Sequence, residues 1–81
     1  KVNSMNIGGQ MRKWRYDCRV TQQQLADRCG YSLRAVQKWE AGERIPGCDA
    51  LVALSNAMGV STDWLLGLTD SWERNSSGRI L

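Results

Sequence analysis

TQQQLADRCGYSLRAVQKWEAG, residues Thr21 to Gly42, is the stretch whose reading decides the fold. Thr21 places a side-chain oxygen just ahead of Leu25, Ala26 and Cys29, and Gln24 follows three residues on, in the reciprocal pattern of a capping box. A helix therefore starts at Thr21. It has room for about two turns before Gly30, which takes the left-handed conformation at little steric cost and so ends helices. Ser32 offers a second cap, Val36 and Trp39 recur at helical spacing towards Ala41, and Gly42 is the second stop. Two helices joined by so short a turn cross steeply, and a residue of the first that faces the second has to be small. Ala26 fits that place.

Outside this corner the chain supplies support. Ile7, Met11, Trp14 and Cys18 fall at helical intervals and predict a helix over about residues 6–17 with those four on its buried face. Arg12, Lys13, Arg15 and Arg19 take its other side, and two readings of them stay open: solvated cations, or a face next to phosphates. After Gly42, Pro46 cannot sit inside a helix and holds Ile45 extended, so ERIPG is a connecting loop. Residues 49–58 form a helix with Leu51, Leu54, Ala57 and Met58 on one face and Val52 beside them, closed by Gly59. Ser61 or Thr62 caps a last short helix through Trp64, Leu65 and Leu66, stopped at Gly67, with Asp63 in the first turn favouring the helix dipole. No alternating strand pattern and no repeat occurs. The expectation is an all-α fold: one compact domain over residues 6–68, preceded by an N-terminal extension or expression remnant over 1–5 with Met5 as a candidate start. A tail or linker follows over 69–81, where Trp72 and Ile80 are the apolar residues able to dock.

Eighty-one residues support one small core. The formal charge is +3, but it is unevenly placed: residues 1–46 hold nine Lys or Arg against four acids, and residues 47–81 hold two against four. The basic half is the half with the helical corner, which fits a polyanionic partner. Cys18, Cys29 and Cys48 are odd in number, lack a CxxC spacing and have no histidine with them, which argues against a zinc site and leaves Cys29 as a small buried hydrophobe. Reduced thiols and the lack of a signal-like or membrane-spanning run point to the cytoplasm, within a bacterial nucleoid or a phage-infected cell. With no histidine, no nucleophile paired to a base and no acid pair, the chain does not read as an enzyme, and no cofactor, metal or small-molecule substrate is expected.

Taken together, Ile7-Gly8, Arg15, Thr21-Gln22, Leu25-Ala26, Gly30, Val36, Trp39-Glu40, Gly42, Pro46, Leu51, Leu54, Gly59-Val60 and Trp64-Leu65-Leu66-Gly67 resemble the Cro/CI-type (Xre) helix-turn-helix repressor domain, and look closest to lambdoid phage repressors. The resemblance implies a five-helix, lambda-repressor-like DNA-binding domain with the helix-turn-helix at its second and third helices. Phage repressors are the type case of this docking geometry, in which the recognition helix lies in the major groove of a double-stranded operator and two-fold dimers read half-sites about 34 to 36 Å apart.

Carried over by position, the resemblance makes Ser32, Leu33, Arg34 and Lys38 base contacts, with Gln37 a further one, on a recognition helix running from Ser32 to Ala41. Gln22 and Arg44 become phosphate contacts. Arginine can fork onto guanine, glutamine can pair with adenine and Leu33 can pack on a thymine methyl. For Arg34 and Lys38 the alternative is an ordinary exposed helix face. Arg15 and Glu40 match a structural ion pair between the first helix and the end of the third. A homodimer contact is expected from apolar residues outside the core, with Val60, Trp64 and Leu68 as candidates. The leading expectation is a sequence-specific transcriptional regulator of the phage-repressor kind, not bound to membrane. Three alternatives stay open: a protein-interaction module on the same fold, an antitoxin-type regulator, and a thiol-based sensor working through the three cysteines.

Overall fold

Asn6, Thr21, Ser32 and Ser61 each accept a hydrogen bond from the backbone N–H three residues on, and these caps start four of the five helices. The computed structural model describes residues 6–70, as α1 (Ile7–Cys18), α2 (Gln22–Cys29), α3 (Leu33–Ala41), α4 (Cys48–Met58) and α5 (Thr62–Leu65). The extension 1–5 and the tail from 71, with Trp72 and Ile80, lie outside the described residues. At Thr21 the capping box is complete: Thr21 Oγ1 accepts from Gln24 N at 3.0 Å, and Gln24 Oε1 accepts from Thr21 N at 2.9 Å. The α4 start at Gly47 has no side-chain cap, and Asp49 places a negative charge in its first turn.

α2 packs on α3 and α4, α1 packs on α3 and α5, and α4 packs on α5. The α2–α3 corner is thus wedged between α1 and α4. Met11, Leu25, Val36, Leu54, Val60 and Leu65 are fully buried at its centre. Ala26 is fully buried too, as its place in a tight corner requires. Two polar contacts fix the helices at the margins of this core. Gln10 Nε2 donates to the Trp64 carbonyl at 2.8 Å, tying α1 to α5. The buried Ser55 hydroxyl donates to the Val60 carbonyl at 2.5 Å, closing the turn after α4.

Three expectations are corrected. Cys18 is exposed, because α1 ends there: Arg19 turns left-handed and the chain reverses, so that Val20, not Cys18, enters the core. In α4 the buried stripe is Ala50, Leu54 and Met58 with Ser55, while Leu51 and Ala57 are half-buried and Val52 is exposed. Residues 50–54 are apolar all round, so their periodicity did not select a face; packing against α2 did. Val60 and Trp64, expected outside the core, are inside it at 1% and 5% exposure, because the α4–α5 turn folds back under α1. Of the three residues expected at a dimer contact, only Leu68 is exposed. Among the described residues no helix is long and apolar enough to cross a membrane.

α2 and α3 end at Gly30 and Gly42, both with φ of 78°. α1 ends instead on Arg19 with φ of 58°, the one described non-glycine residue in the left-handed region, where a β-carbon crowds the following carbonyl. Its side chain is exposed. Arg19→Gly should therefore raise stability by about 0.5 to 1 kcal/mol, read as a higher urea midpoint with an unchanged m-value.

Candidate functional site

α3 is the helix with one side clamped and one side bare. Val36, Trp39 and Glu40 face inward, and Arg34, Gln37 and Ala41 are exposed. The inward side is fixed by an unusual residue for a core, the carboxylate of Glu40. Arg15 reaches it from α1 with two parallel hydrogen bonds, Nε to Oε2 at 2.6 Å and Nη2 to Oε1 at 2.8 Å. Gln22, at the start of α2, donates its Nε2 to the same Oε1 at 3.0 Å. Arg15 also donates Nη1 to the Val20 carbonyl at 3.0 Å, so each of its three nitrogens is engaged inside the domain. The side chains of Arg15 and Glu40 are 9% and 2% exposed, which makes this a buried, bidentate pair.

The hydrogen bond to Glu40 raises the Arg15 pKa above its ordinary value, and the attraction between the charges adds to this, while desolvation opposes it. A cation whose folded-state pKa is raised contributes stability that is present below its ordinary value and lost only as pH climbs through the raised one. The guanidinium's share is therefore constant across the neutral range and disappears only in strong alkali.

The bare side of α3 carries most of the candidate contacts. Ser32 is exposed, and its Oγ accepts from Ala35 N at 3.1 Å, leaving its hydrogen to donate outward. Leu33 is half-buried at the margin, and Arg34 and Gln37 are exposed. Lys38 is half-buried with its Nζ 3.2 Å from Glu43 Oε1, an exposed pair of low energetic weight. Arg44 is exposed in the loop after α3. Ser32, Arg34, Lys38 and Arg44 are brought together along one groove of about 300 Å³, walled by Tyr31 and Trp39. Tyr31 packs edge-on against the Trp39 ring with centroids 5.2 Å apart. Gln22 is set apart from this group. It borders a second concavity of about 580 Å³ with Tyr16, Arg19 and Thr21, its amide nitrogen committed to Glu40.

Sequence reasoning did not find the bond from Gln22 to Glu40, the bond from Gln10 to the Trp64 carbonyl, or the donation from Arg12 to the Glu40 carbonyl. Polar residues carry no periodic signal, and each of these partners lies at least 18 residues away in the chain. All eight Lys and Arg among residues 6–70 fall between Arg12 and Arg44, and from Ile45 to Asp70 the only charged residues are Asp49, Asp63 and Asp70. With Asp17, Asp27, Glu40 and Glu43 set against those eight, the net positive charge belongs to the α1–α3 half, which includes the bare side of α3.

A clamped helix following a capped helix across a glycine turn defines a helix-turn-helix domain. The helix-turn-helix family model matches residues 11–65, and the chain belongs to this family, in its Cro/CI (Xre) branch. It is 36% identical over 63 residues, 78% of this chain and 56% of that protein, to the cryptic phage CTXphi transcriptional repressor RstR of Vibrio cholerae. It is 39% identical over 60 residues, 74% of this chain and 56% of that protein, to the SPbeta prophage-derived regulator YonR of Bacillus subtilis. The chain spans about half the length of the relatives it matches. Among solved structures it is similar to the DNA-binding domain of the P22 c2 repressor in solution, with TM-score 0.76 and 32% identity over 86% of this chain and 95% of that one. It is similar also to the P22 c2 repressor crystallised with a synthetic operator, with TM-score 0.73 and 33% identity over 78% and 96% of the two chains.

Removing Glu40 leaves Arg15 buried with no counter-charge. Glu40→Ala should cost about 3 to 5 kcal/mol in a urea melt, against roughly 0 to 1 for the exposed Lys38–Glu43 pair probed by Glu43→Ala.

Proposed function

We propose that the chain is a sequence-specific double-stranded DNA-binding regulator of the phage-repressor kind, with α3 as the recognition helix in the major groove. The observation that carries this reading is the disposition of α3: its inner side is locked to α1 and α2 through Glu40, while Arg34, Gln37 and Lys38 project from the opposite side over a positively charged half. A helix that reads base edges has to be held in orientation yet stay bare on the reading side. The likeness to a repressor solved with operator supports the same reading.

In this arrangement Arg34 forks onto guanine, Gln37 and Lys38 reach neighbouring base edges, and Leu33 packs on a thymine methyl. Ser32 donates its hydroxyl hydrogen to a base or to the adjoining backbone. Arg44 neutralises a phosphate from the loop, and Gln22, fixed through its nitrogen, has its amide oxygen and its backbone N–H left for the sugar-phosphate side. Lys38 gives up its exposed bond to Glu43 on binding, at a cost of under about 1 kcal/mol. The regulator works as a homodimer on a two-fold operator, with Leu68, 68% exposed, as an apolar contact between the copies. Binding that blocks a promoter represses it.

Selection of bound sites from a random DNA pool tests the reading: it should return an inverted repeat with half-sites about one helical turn apart. A chain that enriches no sequence, or one whose binding shows no dependence on salt, would remove it, since each neutralised phosphate should steepen the log-log salt slope by about 0.9. On the selected site Arg34→Ala should cost about 1 to 3 kcal/mol and relax the preference at one position, while Arg44→Ala should weaken all sequences alike and reduce the slope by about one phosphate.

A further inference from the structure

Glu40 is held twice from α1. Arg15 takes its carboxylate, and Arg12, one turn earlier, donates Nη1 to its backbone carbonyl. The last carbonyls of a helix have no partner within it. At the end of α3 the Lys38 and Trp39 carbonyls are met by the backbone N–H groups of Gly42, Glu43 and Arg44, and the Glu40 carbonyl is met by Arg12. Arg12 also sets a positive charge at the negative end of the helix dipole.

Gly8, four residues before Arg12, lies against the same turn. A methyl group on Gly8 would stand 2.5 Å from the Trp39 carbonyl oxygen and 2.7 Å from that of Glu40. Both are backbone atoms, which cannot swing aside as a side-chain end does. Gly8 is inside α1, where alanine has the better helix propensity by about 1 kcal/mol and left-handed freedom has no use. The missing side chain therefore serves one geometric purpose, the close approach of α1 to the end of α3.

We infer that Gly8 and Arg12 are positioning residues for DNA reading: together they set where the end of α3 rests on α1, and hence where Arg34, Gln37 and Lys38 stand relative to the bases. The inference rests on the DNA-binding function proposed above, and in it neither residue touches DNA. Relieving the methyl contact from 2.5 Å to the 3.4 Å of ordinary packing moves the end of α3 by close to an ångström. An open concavity of about 340 Å³ borders this joint, with Gly8 and Arg12 on one wall and Glu40, Gly42 and Pro46 on the other, so the contact lies at the protein surface and not in the packed core. Base-edge hydrogen bonds tolerate roughly half an ångström.

The test uses Gly8→Ala, Arg12→Met and Arg12→Lys in the full chain, on the operator selected by the unaltered chain and on its single-base variants. Thermal melts give the folded fraction, and binding is compared where all are folded. Gly8→Ala and Arg12→Met should weaken operator binding by at least about tenfold per folded molecule and flatten the discrimination among single-base variants. The salt slope should stay unchanged, because the phosphate-facing cations are intact. Arg12→Lys, which keeps a charged donor at the Glu40 carbonyl, should recover much of the affinity. A lowered Tm with affinity and discrimination unchanged per folded molecule would mean that both residues serve only stability, and overturns the inference. So does an Arg12→Met slope reduced by about 0.9, which would make Arg12 a phosphate contact. If Gly8→Ala does not fold, Arg12→Met alone decides between these outcomes. An unaltered chain that selects no site removes the DNA-binding reading and this inference with it; a chain that selects a site while its variants bind identically removes only the inference.

Discussion

The buried carboxylate of Glu40 is the constraint on which the arrangement of the other helices depends. A carboxylate taken out of water is costly unless counter-charge and hydrogen bonds surround it. Here that requirement draws in Arg15 from α1 and Gln22 from α2, so three helices meet at one residue of α3, which is itself only nine residues long. Such a pair contributes little net stability compared with a well-packed apolar substitute. What it adds in this fold is direction. Apolar contacts at Val36 and Trp39 would permit α3 to roll on the core, whereas a bidentate pair is satisfied in one orientation only. The bare side of α3 is thereby given a fixed heading, and the donation from Arg12 to the Glu40 carbonyl fixes its far end.

Charge and packing divide the domain in a related way. α4, α5 and the turn between them supply Leu54, Met58, Val60, Trp64 and Leu65 to the core and carry no basic residue. They act as a buttress. α1, α2, α3, the turn at Arg19 and the start of the loop after α3 carry every described Lys and Arg, eight against the four acids Asp17, Asp27, Glu40 and Glu43, so the net positive charge belongs to the part of the domain that includes α3. Long-range attraction of a polyanion would bring it to that part before any specific contact forms. The family relationship to phage and prophage regulators fits this division of labour, and the proposed roles of Arg34, Gln37, Lys38 and Arg44 follow from it.

How much could be read in advance depended on how local the cause was. Thr21 with Gln24, Ser32, Gly30 and Gly42 act within a turn of themselves, and each stands in the structure as its local chemistry requires. Leu25, Ala26, Cys29, Val36 and Trp39 were also legible, since a short helix with one apolar stripe has one way to bury it. Cys18 was misplaced because periodicity continues past the point where a helix stops, and the stop was set by Arg19, which carries no glycine-like signal. Val60 and Trp64 are buried for a reason that periodicity does not carry. They follow α4 across a turn whose direction depends on the Ser55 bond to the Val60 carbonyl and on the seat beneath α1.

The amino-acid order by itself determined the five helices, the caps of α2, α3 and α5, the stops at Gly30, Gly42 and Gly59, the α2–α3 corner and the segregation of charge, because all of these arise from neighbours in the chain or from composition. It also contained the residues of the Arg15–Glu40 match. Only the tertiary structure decided which face of α4 turns inward, that Gln22 shares the Glu40 carboxylate, that Gly8 and Arg12 abut the end of α3, and which positive side chains share a groove. Gln22 and Glu40 lie 18 positions apart and Arg12 and Glu40 lie 28 apart, and such outcomes are fixed by volume, desolvation and hydrogen-bond geometry, which act on positions in space and not on positions in sequence.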